Sequence, residues 1–287
     1  MEDLLCSRCL CGDGVKMTKT ELLVILDQIG VRPSRRMGQN FLVDANMLDA
    51  LVRAAAPMEG ERVLEVGPGT GVLTRRLLEA GCKVTAVELD HRLAAYLRRD
   101  LGSAPGLRLI EEDACKVDYD ALMGEAPYRC IANLPYACGT VFLAGMLTLA
   151  NPPLDFHVLL QKEMAQRIVS TPGNNVYGVL TVRIGLRYQA EMVRTVPSGV
   201  FYPPPDVASA FVRMVRRDCA DERVCRRAAE LATLAFGQRR KKALPLMARR
   251  FEMVRLQAGF DELGIPLDAR AETIAVSQYK ALAKRVC

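Results

Sequence analysis

The stretch "RVLEVGPGTGVLTRRLLEAG" (Arg62–Gly81) decides how this chain folds. It begins with a short apolar strand, continues through a glycine-rich turn and ends in a helical segment. Glycine at Gly67, Gly69 and Gly71 lets the backbone turn tightly and approach a ligand that a Cβ atom would exclude. A strand, a glycine turn and a helix in this order indicate an α/β unit.

The same alternation continues along the chain. "KVTAVEL" precedes the helical segment "RLAAYLRRDL", and the apolar runs "LRLIEED", "RCIANL" and "FHVLLQ" extend the series. Alternating strands and helices predict a parallel sheet. Later, "QAEMVRTV" and "ASAFVRMVR" follow each other without room for a crossover helix, so we predict that these two strands pair antiparallel.

The C-terminal part has a different pattern. From Asp218 onward the segments are helical, and they contain 14 Lys/Arg against 9 Asp/Glu, which accounts for nearly all of the net charge of +6. We therefore predict an α/β domain over residues 17–217, a helical and basic RNA-binding domain over residues 218–287, and a poorly defined extension over residues 1–16. The charge suits a polyanionic partner such as nucleic acid, although an ordinary solvated face has the same composition.

Several classes of protein are excluded by simple observations. The longest apolar runs, such as "VFLAGML", are far shorter than the roughly 20 residues that a bilayer requires. The start "MEDLLC" lacks a basic region ahead of an apolar stretch, so we predict a cytoplasmic protein without membrane contact. Cys6, Cys9 and Cys11 form the only cysteine cluster, and because a fourth ligand is missing nearby we expect no metal.

Two acidic residues add to the glycine turn. Glu88 ends the second strand, where a carboxylate can accept hydrogen bonds from both ribose hydroxyls, and Asp113 follows the third, where it can meet an adenine amino group. The carboxyl ends of neighbouring parallel strands meet at one crevice, so the three features favour an adenosine-containing ligand. Taken singly, each is equally an ordinary turn or a surface carboxylate. The spacing G-x-G-x-G does not demand a pyrophosphate.

A second group of candidate site residues lies in "CIANLPYACG" (Cys130–Gly139). Asn133 offers a neutral oxygen acceptor, and Pro135 biases Leu134 towards an extended turn with exposed carbonyls. Tyr136 supplies a flat face for stacking. Hydrogen-bond acceptors beside an aromatic ring suit the amino group of a purine base. The alternative is that the motif is only a turn after the strand, with the tyrosine packed against the protein.

Five motifs in order resemble the ribosomal RNA adenine N6-dimethyltransferases, with the small-subunit type (KsgA/RsmA) as the nearest. They are "MGQNFLVD", "EVGPGTG", "ANLPY", "VFYPPPDVASAFVRM" and "FGQRRK". The resemblance runs from Met17 to the C-terminus. It implies a Rossmann-like seven-stranded methyltransferase sheet with a small C-terminal helical domain. It also implies S-adenosyl-L-methionine as cofactor and dimethylation of two adjacent adenosines near the 3′ end of 16S rRNA.

The resemblance also assigns cofactor-binding residues. Asn40 and Leu42 of "QNFL" would cover the cofactor, and Gly67 would approach its methionine portion. Glu88 would bind the ribose and Asp113 the adenine. Asn133 would also contact the cofactor, because it would lie between cofactor and target.

The catalytic residues that it implies are Asn133 with the backbone of Leu134 and Pro135, and the aromatic residues Tyr136 and Phe201, which would sandwich the target base. The segment "ACGTV" after Tyr136 has smaller residues and fewer prolines than the family pattern. The resemblance therefore does not define the wall of the pocket that this segment would form. We expect a monomer that acts on 16S rRNA within the small ribosomal subunit or its precursor.

Other functions share part of this evidence. A 23S rRNA dimethyltransferase of the macrolide-resistance type has the same glycine loop and N-x-P-Y motif, but "QRRK" and "RAETIAVSQYKALA" favour the small-subunit type. DNA adenine methyltransferases typically have a second proline where Leu134 stands. An rRNA-binding assembly factor with incidental methylation is a third alternative.

Overall fold

The computed structural model describes residues 17–217 and 221–286, and the predicted extension over residues 1–16 lies outside them. The elements, in chain order, are α1 (Lys19–Gln28), β1 (Phe41–Leu42), α2 (Ala45–Ala55), β2 (Arg62–Val66), α3 (Val72–Glu79), β3 (Lys83–Glu88), α4 (His91–Leu101), β4 (Leu107–Glu111), α5 (Tyr119–Met123), β5 (Arg129–Asn133), α6 (Gly139–Met146), β6 (Asp155–Gln161), α7 (Lys162–Ile168), α8 (Val179–Arg187), β7 (Tyr188–Val196), β8 (Phe201–Tyr202), β9 (Ser209–Arg216), α9 (Glu222–Phe236), α10 (Ala243–Met247), α11 (Met253–Glu262) and α12 (Val276–Arg285). Two 3₁₀ helices, Ser198–Val200 and Ala271–Thr273, complete this set.

Packing divides the chain into two units. The first runs to Asp118 and also takes Pro127–Cys138 and Pro197–Asp206. The second takes Tyr119–Ala126, Gly139–Val196 and the chain from Val207 onward. These units follow contacts between residues, whereas the proposed boundary at residue 217 follows the change in sequence pattern. That boundary therefore stays a proposal.

The first unit contains four parallel strands in the order β4-β3-β2-β5. Val63 pairs with Val84 on one side and with Arg129 on the other. Val63 and Ile131 are completely buried, as expected of parallel strands, which read as continuous apolar runs. The predicted parallel arrangement is confirmed, and it places the carboxyl ends of four strands at one edge.

A short antiparallel ribbon in the first unit joins two distant motifs. Phe41 pairs with Tyr202, and Leu42 pairs with Phe201. The N–H of Val43 donates to the carbonyl of Val200 at 2.9 Å and extends this pairing. The "QNFL" and "FYPPP" motifs therefore lie side by side, although most of the first unit's sequence separates them.

The second unit contains the antiparallel strands β6, β9 and β7, in that order. The pairing of β7 with β9 confirms the predicted antiparallel pair. Helices α8 to α12 surround an apolar cluster that includes Leu231 and Phe260. The hydroxyl of Tyr177 donates to the Ile274 carbonyl, and that of Tyr279 to the Ala271 carbonyl, both at 3.0 Å. The predicted α/β class with seven strands and a helical C-terminal region is confirmed.

None of the helices in the described ranges combines the length and the apolar character needed to cross a membrane.

Candidate active site

A cavity of about 490 Å³ lies in the first unit where the parallel strands end. This volume is in the range of small-molecule sites. Its lining includes the predicted site residues Asn40, Leu42, Gly67, Glu88, Asp113, Asn133, Leu134, Pro135 and Tyr136. The structure thus brings together residues that are spread over about a hundred positions of the sequence.

Phe201 is the predicted site residue that the structure does not bring to the cavity lining. Its side chain is only 3% exposed, and its backbone pairs with Leu42, which does line the cavity. Stacking on a base requires an accessible ring face. The Phe201 side chain is buried in this conformation, and its predicted stacking role stays a prediction.

The glycine turn is shaped by the loop that follows β5. Gly67 has a φ of +67°, and a Cβ atom there would lie 2.6 Å from Cγ of Pro135. The N–H of Gly67 donates to the carbonyl of Val87 at 2.9 Å. Both the left-handed backbone and the close approach of the proline ring therefore require glycine at this position.

Glu88 fixes the end of β3 to the glycine turn. Its Oε2 accepts a hydrogen bond from the N–H of Gly69 and its Oε1 accepts one from the N–H of Asp90, each at 3.0 Å. Burial raises the pKa of the Glu88 carboxyl above its ordinary value. Each carboxylate oxygen has a second lone pair, so both can still accept from ribose hydroxyls.

Asp113 lines the cavity in the loop after β4, the strand in which Glu111 pairs with Glu88. Its Oδ1 accepts from the N–H of Cys115 at 2.9 Å, and its Oδ2 lies 3.7 Å from Nζ of Lys116. These contacts hold the carboxylate at the cavity while leaving it partly accessible. It can accept a hydrogen bond from an adenine amino group.

Asn133 has a defined orientation. Its Nδ2 donates to the carbonyl of Asn40 at 3.0 Å, and because only the NH₂ end can donate to a carbonyl, Oδ1 is the remaining acceptor. Asn40 in turn donates from Nδ2 to the carbonyl of Gly38, which also accepts from the N–H of Tyr136. The loop before β1 thus holds the "NLPY" turn.

The two carbonyls predicted to act beside Asn133 differ in their surroundings. The Pro135 carbonyl accepts from the N–H of Cys138 at 3.1 Å and from its thiol at 3.4 Å. Both of its lone pairs are therefore used within the turn. Leu134 also lines the cavity, and the predicted role of its carbonyl as an acceptor stays a prediction.

Sequence reasoning missed Glu65, which lines the cavity and is only 1% exposed. Its Oε2 accepts from the hydroxyl of Thr74 at 2.7 Å. Burial, and to a smaller extent the charge of Glu88, raises the pKa of Glu65 to about 8. The sequence feature that could have identified Glu65 is a charged residue inside the apolar strand "RVLEV". That feature does not show which way the side chain points.

The raised pKa of Glu65 makes stability depend on pH. In the unfolded chain this carboxyl ionises near its ordinary pKa of 4.5, whereas the folded protein holds the proton until about pH 8. The free energy of unfolding should therefore fall as the pH rises between these values. We expect Glu65→Gln, which cannot ionise, to unfold with a smaller pH slope and to melt above the parent protein at the alkaline end.

Urea unfolding of both proteins at several pH values across this window measures that slope. Glu59→Gln is a matched control, since Glu59 is an exposed carboxyl of the same unit and its replacement should leave the slope unchanged. An identical slope in Glu65→Gln and the parent would show that Glu65 does not carry the pH dependence.

Comparisons with known proteins agree with this geometry. The family model described as "Ribosomal RNA adenine dimethylase" matches residues 31–286. The ribosomal RNA small subunit methyltransferase A of Erythrobacter litoralis (strain HTCC2594) is 40% identical over 266 residues, which cover 91% of this chain and 93% of the relative.

Among solved structures, the 23S rRNA methyltransferase ErmE is 26% identical with a TM-score of 0.67, and the match covers 86% of this chain and 99% of that one. A dimethyladenosine transferase from Plasmodium falciparum has a TM-score of 0.72 at 21% identity, covering 84% and 95%. At that identity the second likeness concerns the fold alone. Together they confirm the predicted Rossmann-like methyltransferase fold.

Proposed function

Because this chain belongs to the ribosomal RNA adenine dimethylase family, we propose that it dimethylates N6 of two adjacent adenosines near the 3′ end of 16S rRNA, with S-adenosyl-L-methionine as methyl donor. The predicted enzyme class is confirmed by the family match. The 40% identity to a small-subunit enzyme, against 26% to a 23S enzyme, favours the small subunit as substrate. The observation that carries the proposal is the cavity that collects Glu88, Asp113 and Asn133.

The residues of the cavity fit this cofactor. Gly67 lines the cavity with backbone alone, and Glu88 and Asp113 provide acceptors for ribose hydroxyls and an adenine amino group. Asn40 and Leu42 line the same cavity on the side of the β1 loop. When bound, the cofactor supplies an electrophilic methyl group on a sulfonium. The residues of the chain then have to hold the nitrogen that receives the methyl group, adenine N6, in line with that methyl group.

Asn133 and the Leu134 carbonyl perform that positioning. Adenine N6 is a poor nucleophile because its lone pair is delocalised into the ring. Hydrogen bonds from its two N–H groups to Asn133 Oδ1 and the Leu134 oxygen draw the nitrogen towards tetrahedral geometry and free the pair. Positioning of this kind is worth about 7–11 kcal/mol of the barrier, so catalysis needs no strong base.

The proton leaves after transfer, once N6 is cationic and therefore acidic. A monomethylated N6 still has one N–H for the amide oxygen, which suits a second transfer at the same site. Tyr136 lines the cavity, and its ring can stack on the target base. Stacking of about 1–3 kcal/mol offsets part of the cost of moving the base out of its stack.

Incubation of the protein with small subunits from a strain lacking this methylation, together with labelled cofactor, tests the proposal. We expect label at N6 of two adjacent adenosines near the 3′ end of 16S rRNA and none in isolated large subunits. Label confined to 23S rRNA would establish the macrolide-resistance type instead. Tight binding to the particle without any label would establish an assembly factor.

The predicted basic run divides into two groups in the structure. Arg239 donates to the carbonyls of Asn175 and Tyr177, and Nε of Arg250 lies 2.6 Å from the Glu230 carboxylate. These two arginines are exposed, but each contacts a group of its own unit. The second group consists of the other basic side chains of the run, which are also exposed, namely Arg240, Lys241, Lys242 and Arg249.

The second group is the one that we propose contacts rRNA phosphates. Arg240→Glu combined with Lys241→Glu should weaken binding to small subunits by more than about tenfold at physiological salt. It should also reduce the slope of log affinity against log salt by about 2, because each phosphate contact releases counterions. Filter binding at several salt concentrations measures both quantities.

Cofactor affinity should be unchanged in this variant. Arg223→Glu combined with Arg226→Glu is the matched control, because it changes the charge equally at two exposed positions of α9. Equal weakening in both double variants would mean that net charge, and not this surface, determines binding.

A further inference from the structure

Two free thiols lie near each other in the wall of the cavity. Cys115 is exposed and Cys138 is half-buried, and both line the cavity. They are close enough for each thiol to affect the pKa of the other. Sγ of Cys115 also lies 3.9 Å from the carbonyl oxygen of Cys138. Neither the adenine-binding nor the catalytic role described above uses these sulfur atoms.

The two cysteines are hydrogen-bonded to two different loops of the site, one after β4 and one after β5. The N–H of Cys115 donates to Oδ1 of Asp113, the proposed adenine acceptor. The N–H and thiol of Cys138 both donate to the carbonyl of Pro135, within the "NLPY" turn. A covalent bond between the two sulfur atoms would therefore tie the adenine-binding loop to the loop that holds the target base.

We propose that Cys115 and Cys138 are a modification site for low-molecular-weight disulfides such as oxidised glutathione. The Cys115 thiolate attacks one sulfur of the reagent, a protein–reagent disulfide forms, and the first reagent thiolate leaves. The Cys138 thiolate then attacks Sγ of Cys115, the internal disulfide forms, and the second reagent thiolate leaves. The two cysteine protons pass to the leaving thiolates, and two electrons move from the protein to the reagent.

The bond would narrow the cavity. A disulfide holds its sulfur atoms about 2.05 Å apart, much closer than two sulfur atoms that are not bonded to each other. Forming it draws the Asp113 loop towards the "NLPY" turn and closes the space where the adenosine portion of the cofactor would lie. This consequence rests on the proposed function, whereas formation of the disulfide itself does not.

The surroundings of the thiols set the conditions for the reaction. Burial raises the pKa of Cys138 to about 12, and burial together with the charge of Asp113 raises that of Cys115 despite the nearby Lys116. The thiolate is the attacking species. Both groups are protonated at neutral pH, so oxidation should be slow there and should accelerate as the pH rises.

The test uses the full chain incubated with oxidised glutathione at about pH 8.5, near the ordinary pKa of a thiol. Digestion with trypsin and chymotrypsin follows, because cleavage after Tyr136 separates Cys138 from Cys130. We expect a cross-linked peptide that contains Cys115 and Cys138 and that disappears after dithiothreitol. Absence of this peptide, while other cysteines of the chain react with glutathione, would overturn the proposal.

Calorimetric titration with S-adenosylhomocysteine measures the consequence. The oxidised protein should bind at least about tenfold more weakly than the reduced protein, which is 1.4 kcal/mol. Cys115→Ser lacks the attacking thiol and should bind equally well before and after treatment. Cys138→Ser cannot resolve the first disulfide, so it should keep one reagent molecule on Cys115, which intact-mass measurement detects. A cross-linked protein with unchanged affinity would refute the effect on binding. Reduced protein that fails to bind at all would count against the proposed function, while the peptide map still decides the modification site.

Discussion

Replacing Asn133 with alanine should lower kcat for methyl transfer by about 10²–10³, the usual cost of removing one hydrogen-bonding group that stabilises a transition state. In the proposed mechanism the amide oxygen draws N6 towards tetrahedral geometry. The hydrogen bond from Nδ2 to the Asn40 carbonyl fixes the direction of that oxygen. Cofactor affinity should change far less than kcat, because Glu88, Asp113 and the glycine turn are untouched. Single-turnover kinetics with small subunits, together with cofactor titration, separates the two effects.

Asn40→Ala is the matched control for this prediction. It removes an amide from the same cavity, but the partner of Asn133 is the backbone carbonyl of Asn40, which remains. We expect this variant to raise KM for the cofactor while changing kcat little. If Asn133→Ala methylates as fast as the parent protein, N6 is not activated by that amide and the mechanism is wrong.

Replacing Gly67 with alanine should abolish measurable cofactor binding and lower the free energy of unfolding by about 2–5 kcal/mol. A φ of +67° costs an alanine about 1–2 kcal/mol, and the added Cβ would lie 2.6 Å from the Pro135 ring. The collision forces either the glycine turn or the "NLPY" turn to move, and overpacking adds about 1–3 kcal/mol. Urea unfolding and calorimetric titration measure the two losses.

Gly60→Ala isolates the backbone contribution. Gly60 has a φ of +80°, but a Cβ atom there would meet nothing within 4 Å. This control should lose only the conformational part of the stability and should bind cofactor normally. Comparable cofactor affinity in Gly67→Ala and Gly60→Ala would show that contact with Pro135 does not shape the site.

The sequence was sufficient to predict those features that depend on local pattern. Alternation of apolar strands and helices predicted the parallel strands, and the short link between "QAEMVRTV" and "ASAFVRMVR" predicted their antiparallel pairing. Gly67, Glu88 and Asn133 were placed at one edge because parallel strands share an edge at their carboxyl ends. The resemblance supplied Asn40 and Leu42.

The features that were missed depend on contacts that local pattern does not encode. The turn after Pro135 folds back, so that the N–H and the thiol of Cys138 both donate to the proline carbonyl. Arg239 was predicted as part of the RNA-contacting run, but it donates to backbone carbonyls of its own unit.

The ribbon of β1 and β8 has a consequence for biosynthesis. Phe41 has no strand partner until Tyr202 has left the exit tunnel, and the intervening synthesis takes about 8–30 s at typical elongation rates. A nascent chain should therefore gain affinity for the proposed methyl donor only when translation is well past its midpoint. Chains arrested before Phe201 would emerge with this wall of the pocket unfinished.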